Sequence, residues 1–243
     1  MFPLLYHTHH CQHPEDIPFW LELAQENPGP VLELGCGTGR VLTPLAQAGH
    51  SVFGMDKDFE MLAFLNSNLP SNAKSGAHVF QADFTSFHLG KRFVLIIMPC
   101  NTFSTLTLEQ RISTHRCVMR HLEPAGCFTI SMPNPELLKQ LPKRGAPELE
   151  DIFTLPASGE PVQVISSWER AGSYFTFHWH YDRLFPDGKV LRFSVQLQHH
   201  LVPVQAYLDE FHQAGMTSLT VYGDYDRSTY HRDSPSLIIS GRL

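Results

Sequence analysis

Val31, Leu32 and Leu34 form a short apolar run, and Phe93–Met98, Phe-Val-Leu-Ile-Ile-Met, forms a longer continuous one. Such runs suit parallel strands that are covered on both faces. Between them, Val52 and Phe53 predict a second strand ending at Asp56, and 77–83, Ala-His-Val-Phe-Gln-Ala-Asp, predicts a third. Helical spacing intervenes: Val41, Leu42, Leu45 and Ala46 share a stripe, with Pro44 tolerated in the first turn, where backbone N–H groups lack helical partners. Leu108, Ile112, Met119 and Leu122 mark a longer helix, and His115 completes its stripe as a packed, satisfied histidine. Residues 127–132 return as a fifth strand. A short helix starting near Asp16 carries Ile17, Trp20, Leu21 and Ala24, and Asn27-Pro28-Gly29-Pro30 breaks it.

From 148 to 200 the period changes to two. Phe175, Phe177, Trp179 and Tyr181 share one face of a predicted strand, and Thr176, His178, His180 and Asp182 the other. Leu191, Phe193, Val195 and Leu197 alternate with Arg192, Ser194, Gln196 and Gln198 in the next. For like faces to meet, the connection needs an odd number of residues, which Pro186-Asp187-Gly188 supplies with glycine in the left-handed region. Asp182 then opposes Arg192 and His180 opposes Ser194. With shorter candidates at 152–155 and 162–168, residues 148–200 predict an antiparallel sheet inserted after the fifth strand. The polar face of this hairpin is expected to border an acceptor pocket. A last helix holds Tyr207, Leu208 and Phe211 and stops at Gly215, and strands at 219–222 and 237–239 flank the loop 223–235.

The first strand runs into Gly35, Gly37 and Gly39, a turn whose bare backbone admits a ligand beside the next helix start. A dinucleotide fingerprint needs a glycine at the sixth position, where this chain has Arg40, and Glu33 would repel a pyrophosphate. Glu33-x-Gly35-x-Gly37-x-Gly39 instead resembles the motif of the class I S-adenosylmethionine-dependent methyltransferases, small-molecule type. That resemblance implies an α/β fold with a seven-stranded, mostly parallel, doubly wound sheet. It also implies S-adenosylmethionine as cofactor. Glu33 would reach the methionine part, and the backbone of Gly35, Cys36, Gly37 and Gly39 would lie beside the ribose and methionine. A carboxylate at the tip of the second strand suits both ribose hydroxyls, the role the resemblance implies for Asp56. Lys57 and Met61 would line ribose and adenine, Asp83 would accept from the adenine amino group with Ala82 and Phe84 beside it, and Met98, Pro99 and Cys100 would line the methionine channel.

Pro99-Cys100-Asn101-Thr102-Phe103 stands where small-molecule members often have Pro-Phe-Asn-Thr/Ser-Phe. The same stretch also resembles the Pro-Cys-Gln-x-Phe-Ser of cytosine-C5 methyltransferases, whose cysteine is a nucleophile, but the companion motifs are absent and Cys100 is expected to line the channel. A Gly-Asp-Tyr-Asp loop, here 223–226, closes many relatives. Candidates for a general base are His178, His180, Tyr6 and Tyr222.

At 243 residues and 42% hydrophobic content the chain suits one domain, 1–243, with 1–30 as an N-terminal arm or lid. A formal charge of −6 with scattered basic residues argues against a nucleic-acid partner. Five cysteines, an odd number with no Cys-x-x-Cys, fit reduced thiols and a cytoplasmic protein, and the sequence predicts neither a basic leader nor a membrane span. His7, His9, His10, Cys11 and His13 crowd the N-terminal arm, where no metal is expected because four ligands so close in sequence seldom close a tetrahedral site. Relatives of this type often fold an aromatic N-terminal segment over the cofactor, with Tyr-Asp where this chain has Tyr6-His7. The expected function is in-line methyl transfer to an N, O or C centre of a small-molecule acceptor, with a homodimer left open. A non-catalytic S-adenosylmethionine-binding regulatory or scaffold protein is the alternative, and an NAD(P)-dependent oxidoreductase a weaker one.

Overall fold

The computed structural model describes residues 1–156 and 158–243. In chain order, α1 (Phe2–His10) and α2 (Ile17–Glu26) precede β1 (Val31–Leu34), α3 (Leu42–Gln47), β2 (Val52–Asp56), α4 (Phe59–Asn68), β3 (Ala77–Gln81) and β4 (Phe93–Met98). A 3-10 turn (Thr102–Thr105), α5 (Leu108–His121), β5 (Leu122–Pro133) and α6 (Pro135–Gln140) follow. Next come β6 (Arg144–Thr154), β7 (Pro161–Ala171), β8 (Tyr174–Leu184) and β9 (Val190–His200), then α7 (Val204–Gln213), β10 (Ser218–Tyr222) and β11 (Ser236–Arg242).

Seven strands form one sheet in the order β10-β11-β5-β4-β1-β2-β3, parallel throughout except that β11 runs antiparallel to both its neighbours. The continuous apolar run of β4 has its cause in this layering. Ile96 and Met98 enter a cluster on one side with Leu32, Val118 of α5 and Phe211 of α7, while Leu95 and Ile97 enter another with Trp20 of α2 and Leu45 of α3. Helices therefore cover both faces, and the loops after β1, β2, β3 and β4 gather at one edge, where ligands of open α/β sheets bind.

The inserted sheet is the antiparallel meander β6-β7-β8-β9, beginning at Arg144 rather than at 148. Asp182 opposes Arg192 and His180 opposes Ser194, the register that the alternation requires, and Gly188 takes a φ of 82° in the turn between them. Phe175 and Tyr181 are fully buried. Tyr181 clusters with Phe153, Leu155, Val162, Val164 and Leu5 of α1, and Phe175 with Leu138 of α6 and Leu201. The apolar face of the insert thus lies against α1 and α6, because that is where its aromatic area leaves water.

His115 is buried as expected, but neither ring nitrogen has a hydrogen-bond partner, and its ring meets Phe103, Phe128 and Phe211 edge-on. Burial, with Arg111 nearby, pushes its pKa down to about 4. The unfolded chain therefore binds the extra proton more readily, and stability contributed by the neutral ring is present above the unfolded value of about 6.5 and lost as pH falls towards 4. His115→Leu is expected to match the wild type within about 1 kcal/mol at pH 7 and to lose roughly 1–3 kcal/mol less by pH 4.5. Urea unfolding across that range checks it, and equal acid losses in the two proteins would contradict a neutral buried ring.

Candidate active site

Each strand of the parallel half delivers one group to the common edge. After β1, Gly37 takes a φ of 51°, and a Cβ there would find only Asp56 Oδ2, 4.0 Å away, so the turn leaves open space on that side. Gly39 answers a different need: a side chain would run into Leu65 of α4, so glycine lets that helix dock. At the tip of β2, Asp56 Oδ2 accepts from the Gly37 N–H at 2.8 Å and Oδ1 from the Asp58 N–H at 2.9 Å. Asp58 itself caps α4, accepting from Glu60 and Met61 N–H groups, so Asp56 is free of that task. Each carboxylate oxygen keeps a further lone pair for a ligand hydroxyl. The Gly37 N–H is thereby already engaged and turned from the phosphate-cradling role that a dinucleotide turn demands.

Glu33 lies at 2% exposure on β1, and its Oε2 has no hydrogen-bond partner. Desolvation moves its pKa well up, opposed by Arg40 and by the Leu42 N–H. A buried carboxylate oxygen left unpartnered costs stability unless something donates to it. An ammonium group is the donor such an oxygen suits, and this is how the site fits an amino-acid-bearing cofactor. Asp83, beyond β3, is exposed and accepts from the N–H and hydroxyl of Thr85 at 2.8 and 2.7 Å, which hold its pKa down. Phe84 stands near the Gly35 turn, with its ring 3.9 Å from where a Gly35 Cβ would be.

Beyond β4 the backbone is strained: Cys100 and Asn101 take φ values of 60° and 68°, a conformation that costs non-glycine residues roughly 1–3 kcal/mol each and gathers at functional sites. The Asn101 N–H donates to Ser131 O at 3.2 Å, and Ser104 Oγ donates to Asn101 O at 2.8 Å, which together hold the turn. Cys100 Sγ accepts from Arg40 at 2.9 Å, and Arg40 forks onto Asp16 with two contacts of 2.6 Å. Burial opposes the Arg40 charge, yet Cys100 and Asp16 outweigh it and its pKa moves up. Desolvation pushes the Cys100 thiol up to about 11 despite Arg40. A thiol held protonated is a poor nucleophile.

α1 closes the edge from above. His7 Nδ1 lies 3.0 Å from Thr38 Oγ1 in the glycine turn, and its ring rests 5.1 Å from that of Phe64 on α4. Tyr6 feels Cys100, Arg40 and Asp56 at once, and burial moves its hydroxyl pKa well up. The His10 ring lies tilted against that of Tyr6, centroids 4.2 Å apart, and burial with His9 and Arg40 pushes its pKa down to about 3. From the loop after β10, Tyr225 donates to Ser131 Oγ at 3.2 Å and shares the field of Cys100, Asp16 and Arg40.

Several expected residues take other places. Met98 is fully buried in the core cluster with Leu32 and Ile130, and Cys36 turns its sulfur towards Gly54, so only their backbone borders the edge. Lys57 is exposed, and Met61 is buried in the first turn of α4. Tyr222 packs on Phe19 of α2, and the hydroxyl that reaches the site belongs to Tyr225. His178 and His180 stand on the face of β8 opposite Phe177 and Tyr181, and His180 pairs with Ser194 at 2.8 Å, so neither looks into the edge. Their place as bases, and the polar face as pocket wall, are corrected by the burial of the aromatic face.

The inward face carries a histidine that the sequence reading passed over. His199 opposes Phe175 in register, is 1% exposed, and sets Nδ1 2.8 Å from Ser104 Oγ. Because Ser104 gives its single proton to Asn101 O, His199 Nδ1 must be the donor, which leaves Nε2 a bare acceptor. That nitrogen is buried without a partner, and burial with His200 pushes the pKa down to about 4. The signal was present: the apolar series Leu191, Phe193, Val195, Leu197 continues at the same period to His199.

Residues 31–126 match the family described as a methyltransferase domain. The chain superposes on a S-adenosylmethionine-dependent methyltransferase of Clostridium acetobutylicum with a TM-score of 0.80 at 14% identity, over 95% of this chain and 92% of that one. Residues 31–126 thus match a methyltransferase domain, and the chain's fold is that of class I methyltransferases. Its fold is also that of the sugar N-methyltransferase KedS8 of a Streptoalloteichus species, with a TM-score of 0.78 at 21% identity over 100% of this chain and 92% of that one. YqeM of Bacillus subtilis, described as a presumed methyltransferase, is 30% identical over 109 residues, 44% of this chain and 43% of YqeM. The chain spans less than half the length of the curated relatives it matches. Among the described residues, no helix is long and apolar enough to cross a membrane.

Proposed function

We propose that the protein binds S-adenosylmethionine along the edge formed by Glu33, Gly35, Gly37, Asp56, Asp83 and Phe84, and directs its methyl group to an N, O or C centre of a small-molecule acceptor. The observations that carry this reading are the buried Glu33 Oε2 without a partner, in the electrostatic field of Asp56, and the open space that Gly37 leaves next to the Asp56 carboxylate. The likeness to a sugar N-methyltransferase supports nitrogen as the acceptor atom. The bound cofactor supplies an activated methyl group, so the chain's own task is alignment, and positioning can supply roughly 7–11 kcal/mol of a barrier. Glu33 takes the amino group, Asp56 the ribose hydroxyls, and Tyr6 on α1 shuts out water. His199 Nε2 accepts a hydrogen bond from the acceptor's N–H and turns its lone pair to the methyl.

Thermal shift tests the binding half: S-adenosylhomocysteine at 100 times its dissociation constant should stabilise the chain by about 2.7 kcal/mol, and NAD should not. Turnover against a panel of amino sugars and other small amines tests the rest. Cys100→Ala is expected to keep most of that turnover, measured as kcat/KM, whereas a covalent adduct trapped on wild-type Cys100 would restore the nucleophile.

A further inference from the structure

Beyond the cofactor edge, the end of α1 brings together groups that no step of methyl transfer uses. The chain leaves α1 through a tight turn in which the Gln12 N–H donates to His9 O at 3.1 Å and the His13 N–H to His10 O at 3.3 Å. This turn carries His13 to Asp151 of β6, with Nε2 3.6 Å from Oδ2. Donor atoms of His9, His13 and Asp151 all lie within 4.8 Å of one another.

His9 supplies the second, independent observation. It is fully buried, and its Nε2 makes no hydrogen bond, although Glu150 Oε1 stands 3.4 Å away. Its Nδ1 lies 3.0 Å from the Tyr181 hydroxyl, the kind of outer contact that fixes the ring of a metal-ligating histidine and aims the other nitrogen. Two imidazoles and a carboxylate, with a second carboxylate alongside, match the donors and charge that a divalent transition metal selects.

We propose that His9, His13 and Asp151 bind a zinc ion that clamps the end of α1 to β6 of the inserted sheet. Zinc takes nitrogen and oxygen donors at about 2.0–2.2 Å, so the 3.6 Å pair is already near the separation two ligands of one ion adopt. His13 is half exposed and free to swing inward. Gln12, which donates to Asp151 Oδ2 at 3.1 Å, gives up that contact when the ion enters. The consequence is mechanical: α1 carries Tyr6 and His10 over the edge, and the ion fixes the helix at its far end.

The test is zinc binding itself, on the full chain stripped with a chelator and titrated with zinc sulfate by calorimetry. One equivalent is expected. His13→Ala and Asp151→Asn should each weaken binding about tenfold or more, while Cys11→Ser and His50→Ala leave it unchanged. X-ray absorption should show nitrogen and oxygen at about 2.0–2.1 Å and no sulfur. Because the buried His9 ring is at risk in folding, the exposed His13 and the half-buried Asp151 carry the argument. Wild-type affinity no greater than that of the His13→Ala/Asp151→Asn double variant overturns the proposal, and so does a sulfur ligand, which would assign zinc to Cys11 and its neighbour His7 instead.

Discussion

Asp56→Ala is expected to weaken S-adenosylhomocysteine binding by about a hundredfold or more while leaving the chain folded. Hydrogen bonds to a charged group contribute roughly 1.5–3 kcal/mol each, and the proposed ribose contacts use both oxygens of this carboxylate. The substitution also releases the Gly37 and Asp58 N–H groups that those oxygens hold at 2.8 and 2.9 Å, so the glycine turn loosens where the ligand lies against it. Asp56 is only partly buried, and Asp58 remains to cap α4, so the fold keeps its supports. Asp56→Asn, which retains one oxygen acceptor, should fall between. Calorimetry with S-adenosylhomocysteine reads all three proteins, and an unchanged dissociation constant for Asp56→Ala would remove the ribose from this carboxylate. Circular dichroism separates loss of the site from loss of the fold.

What could be read in the sequence shares one property: it depends on residues near one another in the chain. The apolar run Phe93–Met98 announces a strand covered on both sides, and the acids at 56 and 83 announce groups at strand ends, because strand and turn are local events. The hairpin register was legible for the same reason, since the parity of the loop 186–188 and the alternation on each side leave one pairing. The Asp16–Arg40–Cys100 chain was not, because its members come from three elements that only the fold brings together. Arg40 figured in the sequence only as the residue that broke a dinucleotide pattern, yet it binds the α2 entrance to the turn after β4. Asp16, at the start of α2, caps nothing with its side chain, accepting instead from Arg40 and from Trp20 Nε1 at 3.0 Å.

The insert shows the opposite failure, in which a local pattern was read and its direction mistaken. A face rich in His178, His180 and Asp182 resembles a pocket wall by its chemistry. Its partner face, however, holds Phe175, Phe177, Trp179 and Tyr181, and burying aromatic area outweighs presenting polar groups to a cavity. α1 and α6 take the aromatic face, and the histidines turn outward. The functional candidate is therefore the polar residue that sits on the apolar face, where it is conspicuous for its cost.

His199→Phe is expected to lower kcat/KM for methyl transfer by about a hundredfold or more, the usual scale for losing a group that acts on the acceptor's proton, with S-adenosylhomocysteine affinity unchanged. Phenylalanine fills nearly the same volume beside Phe177, whose ring meets His199 at 5.7 Å, so packing is conserved and the lost feature is Nε2. The tautomer makes the argument specific. Ser104 donates to Asn101 O, His199 Nδ1 donates to Ser104, and the remaining nitrogen has a lone pair and nothing to receive. With its pKa pushed down to about 4, the ring stays neutral well into acid, and its acceptor function is lost only as pH falls through that value. Ser104→Ala should then cost less than His199→Phe, since it frees the ring without removing the acceptor. A kcat/KM limb near 6.5 that disappears in His199→Phe would show a ring that titrates like a solvated histidine, and wild-type kcat/KM in His199→Phe would take the acceptor away from this side of the edge.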